Sequence, residues 1–144
     1  MTNEELKQHI THASFDETGE WLNVLIEAPA WRALALDLRR LEYDSMFCCT
    51  CVDWKTHFTM VYHLTSTVHR HTVVVKARVD RAKPEIETVC DIWRTAGFLE
   101  REVFDLFGVK FLNHPDLRRL LLTEDFEGHP LRKDFEDPVN MIKL

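Results

Sequence analysis

The chain has 144 residues, which favours a single domain, and its 45% hydrophobic and 29% charged content is ordinary for a globular protein. The 18 basic and 24 acidic residues give a formal net charge of -6, which argues against nucleic acid as a bulk partner, because phosphate binding needs a basic face. The opening Met1-Thr-Asn-Glu-Glu lacks the positive and then apolar character of a signal peptide, and no apolar run approaches the ~20 residues that span a bilayer. The expectation is a soluble intracellular chain that meets a membrane only through partners.

Residues 3–12 read as a short polar helix, followed by a turn at Asp16 to Gly19 and a strand from Trp21 to Glu27. Pro29 permits a helix start, and Trp31, Leu34, Leu38 and Leu41 recur at helical spacing over 30–41. Met46 to Asp53 reads as a buried strand. Phe58 to Thr65 and His71 to Val79 have strand composition and read as a hairpin around Ser66-Thr67. Pro84 opens a second helical stretch with Ile86, Val89, Cys90 and Trp93 on one face, interrupted at Gly97. A helix follows from Phe98, with Leu99, Val103 and Leu106 as its apolar stripe, Arg101 and Asp105 as an i,i+4 pair, and Gly108 as its C-terminal cap. The order α-β-α-β-β-β-α-α predicts an α+β fold, with helices against a small, mainly antiparallel four-stranded sheet.

The segment from Phe111 to Leu144 is different. One short helix is expected from Pro115, burying Leu117, Leu120 and Leu121. His114 and His129 each precede proline and are pushed toward extended backbone. Ordering each residue costs roughly 1–2 kcal/mol of backbone entropy, while each buried large apolar side chain returns about 1.5–3 kcal/mol. Only nine such side chains lie between Phe111 and Phe135, so an ordered tail wants further surface. The expected organisation is a core over 1–110 and an extended partner-docking tail over 111–144, within one structural unit.

Candidate chemistry is sparse. Cys48, Cys49, Cys51 and Cys90 contain no CxxC pair, and alternation on a strand turns Cys48 away from Cys49 and Cys51, so packing as small buried hydrophobes is the better reading. His63, His69, His71 and Asp53 would be the candidates for a metal-dependent enzyme, but no known ligand spacing appears. Glu100 and Glu102 are two apart on a helix and point apart, which weighs against a shared acid–base role. GxGxxG, GxxxxGK and GxSxG are absent. From Lys110 to Phe135, five bases (Lys110, Arg118, Arg119, Arg132, Lys133) balance five acids (Asp116, Glu124, Asp125, Glu127, Asp134). A neutral, charge-dense segment with interspersed Leu and Phe suits a protein surface better than polyphosphate.

The run "EREVFDLFGVKF" followed by "HPDLRRLLLTEDFEGHPLRKDF" closely resembles the signature of the 30-kilodalton (C) subunit family of NADH–quinone oxidoreductase, respiratory complex I. Residues 86–135 carry the match densely, and "CVDW" and "MVYHLTS" extend it upstream. The motif falls on Glu100, Arg101, Glu102, Asp105 and Gly108, then on His114, Pro115, Asp116, Arg118 and Arg119, then on Gly128, Pro130, Leu131, Arg132, Lys133 and Asp134. Small departures are Asn113 for a glycine, Phe126 for a tryptophan, and a missing proline after Trp93.

The resemblance implies a peripheral-arm subunit with no catalytic, cofactor-binding or metal-ligating residue of its own. FMN and iron–sulfur clusters would sit in partner subunits. Its partners would be the large quinone-pocket subunit and neighbouring iron–sulfur subunits, on the cytoplasmic side of a bacterial inner membrane. The expected partner interface is Glu100, Arg101, Glu102, Asp105, His114, Asp116, Arg118, Arg119, His129, Pro130, Leu131, Arg132, Lys133 and Asp134. The equivalent subunit of a membrane-bound nickel–iron hydrogenase or another ferredoxin-linked complex is the alternative.

Overall fold

The computed structural model describes residues 1–136. Helix α1 (Asn3–His9) starts at a reciprocal cap: Thr2 Oγ1 accepts from the Glu5 N–H, and the Glu5 carboxylate accepts from the Thr2 N–H. Strand β1 (Ser14–Asp16) pairs antiparallel with β2 (Leu22–Glu27). A short 3-10 turn containing Pro29 leads into α2 (Trp31–Arg40), which buries Trp31, Leu34, Ala35 and Leu38. Strands β3 (Ser45–Asp53), β4 (Phe58–Ser66) and β5 (His71–Val79) form an antiparallel meander.

The sheet order is β1-β2-β5-β4-β3, and only the β2–β5 pair is parallel. The expected mainly antiparallel sheet is present, with five strands in place of four. The extra strand, β1, is three residues long, too short for alternation to announce it. Val24, Val75, Tyr62 and Cys49 line up across the sheet, all buried. Trp31 of α2 stacks on Tyr62 at 4.3 Å and on Trp93 at 6.2 Å, closing the core over this face. The next row, Leu25, Lys76, Val61 and Thr50, points to the opposite face by strand alternation.

The expected helix after Pro84 does not form. Glu85–Glu87 is strand β6, parallel to β7 (Lys110–Leu112), and residues 89–95 turn without forming a helix. Glu85, Ile86 and Glu87 alternate polar and apolar, and Lys110 N–H donates to Pro84 O at 2.8 Å, so a long-range ladder overrides a weak helical period. Ile86, Val89 and Trp93 are nevertheless buried as expected. Helix α3 (Ala96–Phe107) begins earlier than predicted and includes Gly97 without interruption. Gly108 ends it in the left-handed region, φ 77°, with its N–H donating to Phe104 O at 2.9 Å.

From residue 113 to 136 the backbone is irregular. The short helix expected at Pro115 is absent: Leu117 is half-buried, while Leu120 and Leu121 are exposed. The boundary expected at 110/111 falls inside β7, whose Phe111 belongs to the core. The last part of the expected 111–144 tail, residues 137–144, lies outside the described residues.

Candidate functional site

The tail is tied down at two places on α3. At the first, the motif residues predicted to pair with each other do not. Arg101 donates through Nε to Arg118 O (3.2 Å) and through Nη2 to Arg119 O (3.1 Å). Asp105 is fully buried, and its Oδ2 accepts the N–H groups of Leu120 (3.3 Å), Leu121 (2.7 Å) and Leu122 (2.9 Å). Its Oδ1 accepts from Arg119 Nη1 at 3.1 Å. Arg101 and Asp105 are therefore two clamps, one for carbonyls and one for N–H groups of the same returning segment. Burial opposes ionisation of Asp105, but the three N–H groups and Arg119 outweigh it and hold its carboxyl below the usual range.

The second tie closes the end of α3. A helix leaves its last four carbonyls without intrahelical partners. Here Gly108 N–H takes Phe104 O, and His129 Nδ1 donates to Asp105 O at 3.1 Å. Leu131 N–H takes Leu106 O at 3.0 Å, and Arg132 Nε takes Phe107 O at 2.6 Å. A carbonyl only accepts, so His129 carries its proton on Nδ1. Burial depresses the His129 pKa and favours this neutral form. Arg119 Nη2 reaches Gly128 O at 3.0 Å and links the two ties.

A third contact joins the tail to the sheet. Asp53 is buried and accepts both Nε and Nη2 of Arg81 at 3.0 Å, the Lys55 N–H at 2.8 Å and the Lys133 N–H at 2.9 Å. Arg81 also pairs with Asp134 at 3.2 Å. Burial works against the Asp53 charge, yet Arg81 and the N–H groups keep its carboxyl far below its ordinary value. The sequence marks Asp53 only as a metal candidate. Its role as a tail anchor depends on a partner 80 residues away, which no local pattern encodes.

The fourteen residues expected at a partner interface therefore divide. Glu100, Arg101 and Asp105 are buried by the chain itself, which corrects their expected placement at a partner surface. His114, Arg119, His129 and Arg132 are half-buried and turned onto α3. Pro130 is half-buried beside them, while Glu102, Asp116, Arg118, Leu131, Lys133 and Asp134 are exposed. Leu121 (64% exposed), Leu131 (53%) and Phe98 stand outward along the same stretch.

The metal candidates do not come together among the described residues. His71 is engaged by Tyr43 Oη and Asn3 Oδ1, each at 2.6 Å, and Asp53 by Arg81, so the set His63, His69, His71 and Asp53 is not assembled. Cys90, Glu100 and His114 do bring ligand atoms within 4.8 Å of one another. Two of the three are already committed: Glu100 accepts from Thr88 Oγ1 (2.5 Å) and Val89 N–H (3.1 Å), and His114 Nε2 donates to Gly97 O (3.1 Å). An ion there would have to displace these bonds. Cys49 and Cys51 are free and buried, and burial pushes the Cys51 thiol up to about 12, which suits packing rather than thiolate chemistry.

Burial also pushes the Glu100 carboxyl up to about 7, against the pull of Thr88 and Val89. Its neighbours are His114, at 3.8 Å, Cys90 and the charge of Asp91. The native state thus binds the proton more tightly than the unfolded chain. The contribution is favourable at low pH and is lost as pH rises from 4.5 through about 7. Between pH 5 and pH 8 this group lowers stability by about 2–3 kcal/mol. The difference between the unsubstituted chain and Glu100→Gln in urea unfolding at the two pH values measures it, since His63, His71 and His129, held toward the neutral form by burial, act with the opposite sign over the same window.

These features define a class: a small α+β domain closed by a charged strap, with its helix end capped by its own tail. The chain belongs to the respiratory-chain NADH dehydrogenase 30 Kd subunit family, whose model matches residues 24–139. Among relatives, the NADH-quinone oxidoreductase C subunit of Trichlorobacter lovleyi is 40% identical over 123 residues, covering 83% of this chain and 76% of that one. The fused C/D subunit of Phocaeicola vulgatus is 44% identical over 112 residues, covering 76% of this chain and 22% of that longer one. The C subunit of Geobacter sulfurreducens is 46% identical over 99 residues, which cover 66% of this chain and 61% of that one. The fold matches the trypsin-resistant fragment of Nqo5 with TM-score 0.68 and 28% identity, over 73% of this chain and 89% of that one. It also matches a chain of the archaeal membrane-bound sulfane sulfur reductase, with TM-score 0.81 and 30% identity, over 92% of this chain and 84% of that one.

Proposed function

We propose that the chain is a non-catalytic peripheral-arm subunit of a proton-translocating NADH:quinone oxidoreductase. It holds cluster-bearing and quinone-pocket subunits in register on the cytoplasmic side of a bacterial inner membrane. The observation that carries this reading is the strap. Arg101 and Asp105 of α3 and Arg119 and Arg132 of the strap are spent on pinning backbone, which leaves Leu121 and Leu131 of the strap and Phe98 of α3 facing outward. Exposed apolar anchors surrounded by charge are the usual anatomy of a docking surface. Electron transfer through neighbouring subunits depends on fixed separations, and a stiff support supplies them. The fused C/D name of the P. vulgatus relative supports a large neighbour matching its D part. Flavin and iron–sulfur clusters belong, on this reading, to the partners. No helix among the described residues is long and apolar enough to cross a membrane, so membrane contact would come through the complex.

The resemblance to a sulfane sulfur reductase chain supports the same scaffold serving a different electron acceptor. A nickel–iron subunit recovered in the same complex would favour the hydrogenase-type alternative.

Native mass spectrometry of the complex tests the reading. The chain should appear with quinone-pocket and cluster-bearing subunits. Leu121→Asp with Leu131→Asp should leave the isolated chain within about 0.5 kcal/mol of its stability, as surface changes do, while raising the Kd for assembly about tenfold, equivalent to ~1.4 kcal/mol of docking energy. Arg119→Ala and Arg132→Ala should also impair assembly more than folding. Full assembly of all these variants with loss of activity would point instead to a direct catalytic role.

A further inference from the structure

The strap leaves one large surface unused: the open face of the five-stranded sheet, opposite α2. By register, this face carries Leu25 and Glu27 of β2, Lys76 and Arg78 of β5, and Thr59, Val61 and His63 of β4. A groove of about 810 Å³ runs over it, walled on one side by residues 11–14. Aromatic side chains stand at both ends of the face, Trp54 within the groove and a second group beyond its lining. At one end stands Trp54, 55% exposed, its indole N–H fixed to Thr59 Oγ1 at 3.1 Å. At the other, Trp21, Phe47 and His63 pack with ring centroids 5.5–6.3 Å apart, and Phe47 is 50% exposed. Between them, neither Lys76 nor Arg78 makes an ion pair among the described residues. Asp16 is turned into its own turn by accepting from Thr18 N–H and Oγ1, bonds that hold its carboxyl down with a smaller pull from Lys76.

We propose that this face docks a short acidic segment of a neighbouring protein subunit. The segment lies along the strands, with bulky apolar side chains at either end. The charge argument is local. A chain of formal charge -6 presents here two unpaired cations beside His12 and His57, against Glu27 alone within the groove. Carboxylates of the incoming segment meet Lys76 and Arg78, while its apolar side chains meet Trp54 and Phe47. The span from Thr59 to His63 is about 13 Å at ~3.3 Å per residue, which suits roughly four to six residues of extended chain. Half-exposed aromatics at both ends of a face that carries a half-buried Lys76 and an exposed Arg78 are the residue types in which interface energy concentrates once a partner excludes water. The domain then grips two neighbours, one through the strap and one through the sheet. This rests on the docked-subunit reading above.

The test places the photo-crosslinker benzoylphenylalanine at position 54 of the chain in its native complex and sequences the adduct. The expected result is an adduct to a neighbouring segment rich in acidic residues. Lys76→Glu with Arg78→Glu should cut its yield about tenfold while the chain still enters the complex through the strap. Trp54→Ala, which leaves charge unchanged, should weaken association in the same direction. An adduct to lipid, to a basic or uncharged segment or to a second copy of this chain would overturn the proposal. So would no adduct in an assembled complex, or a yield indifferent to charge reversal. If the unsubstituted chain joins no complex, the scaffold reading falls and this inference falls with it.

Discussion

Asp105→Ala detaches the strap. In the intact protein one buried carboxylate accepts three successive N–H groups and a guanidinium. Alanine leaves all four donors without their acceptor and leaves a cavity behind residues 120–122. Breaking a buried ion pair from one side costs about 3–5 kcal/mol, and Arg119 recovers part of that by turning to water. For a chain of this length, Tm falls by roughly 10 °C. The change is not uniform. Amides of residues 118–132 lose hydrogen-exchange protection first, because Arg101, Arg119 and His129 cooperate through the same segment. Trypsin then cuts at Arg118 and Arg119 while β3, β4 and β5 remain protected. Full protection of residues 118–132 in the variant would show that the strap is held by something other than Asp105.

Gly108→Ala should be nearly as severe, for two separable reasons. The residue sits at φ 77°, where a side chain is strained. An added Cβ would also lie 2.7 Å from Arg132 Nη2 and 2.7 Å from the His129 ring. The left-handed strain alone costs about 1 kcal/mol. Displacing His129 and Arg132 frees the carbonyls of Asp105 and Phe107, at about 1 kcal/mol or more for each hydrogen bond lost. The expected loss is about 3 kcal/mol by urea unfolding. Combining Gly108→Ala with Arg132→Ala separates the terms. If the clash with Arg132 matters, the double variant is less destabilised than the sum of the singles. Additive losses would leave backbone strain and the His129 contact as the cause.

What could be read from the sequence follows the range of the interactions. Strand β5 was legible to the residue, and α2 and β4 to within one, because their burial patterns are local and periodic. Gly108 was legible as a cap because glycine is the residue that takes the left-handed backbone of a helix end with least strain. The Pro84 stretch misled, since Ile86, Val89 and Trp93 are buried at spacings a helix also explains. The partner of Ile86 in β7 is Phe111, more than twenty residues on. Arg101 and Asp105 sit four apart and invited a local ion pair. Each instead serves the backbone of residues 118–122, through contacts with no sequence period. The motif density around Glu100 to Asp134 marks the stretch in which strap and α3 meet. It could not say that half of those groups face inward.

The single parallel joint in the sheet sets an order of events. β2 pairs locally with β1 but cannot join the rest of the sheet until β5 exists, some fifty residues later, whereas β3, β4 and β5 zip through short connections. Local pairings of this kind form early and distant ones late. The strap comes later still, because its clamps are drawn from β3, α3 and Arg81 and exist only when all three are in place. A seated strap is therefore a certificate of completion. On the proposed docking role, a neighbour reading Leu121 and Leu131 on it would select finished copies over chains that are still folding.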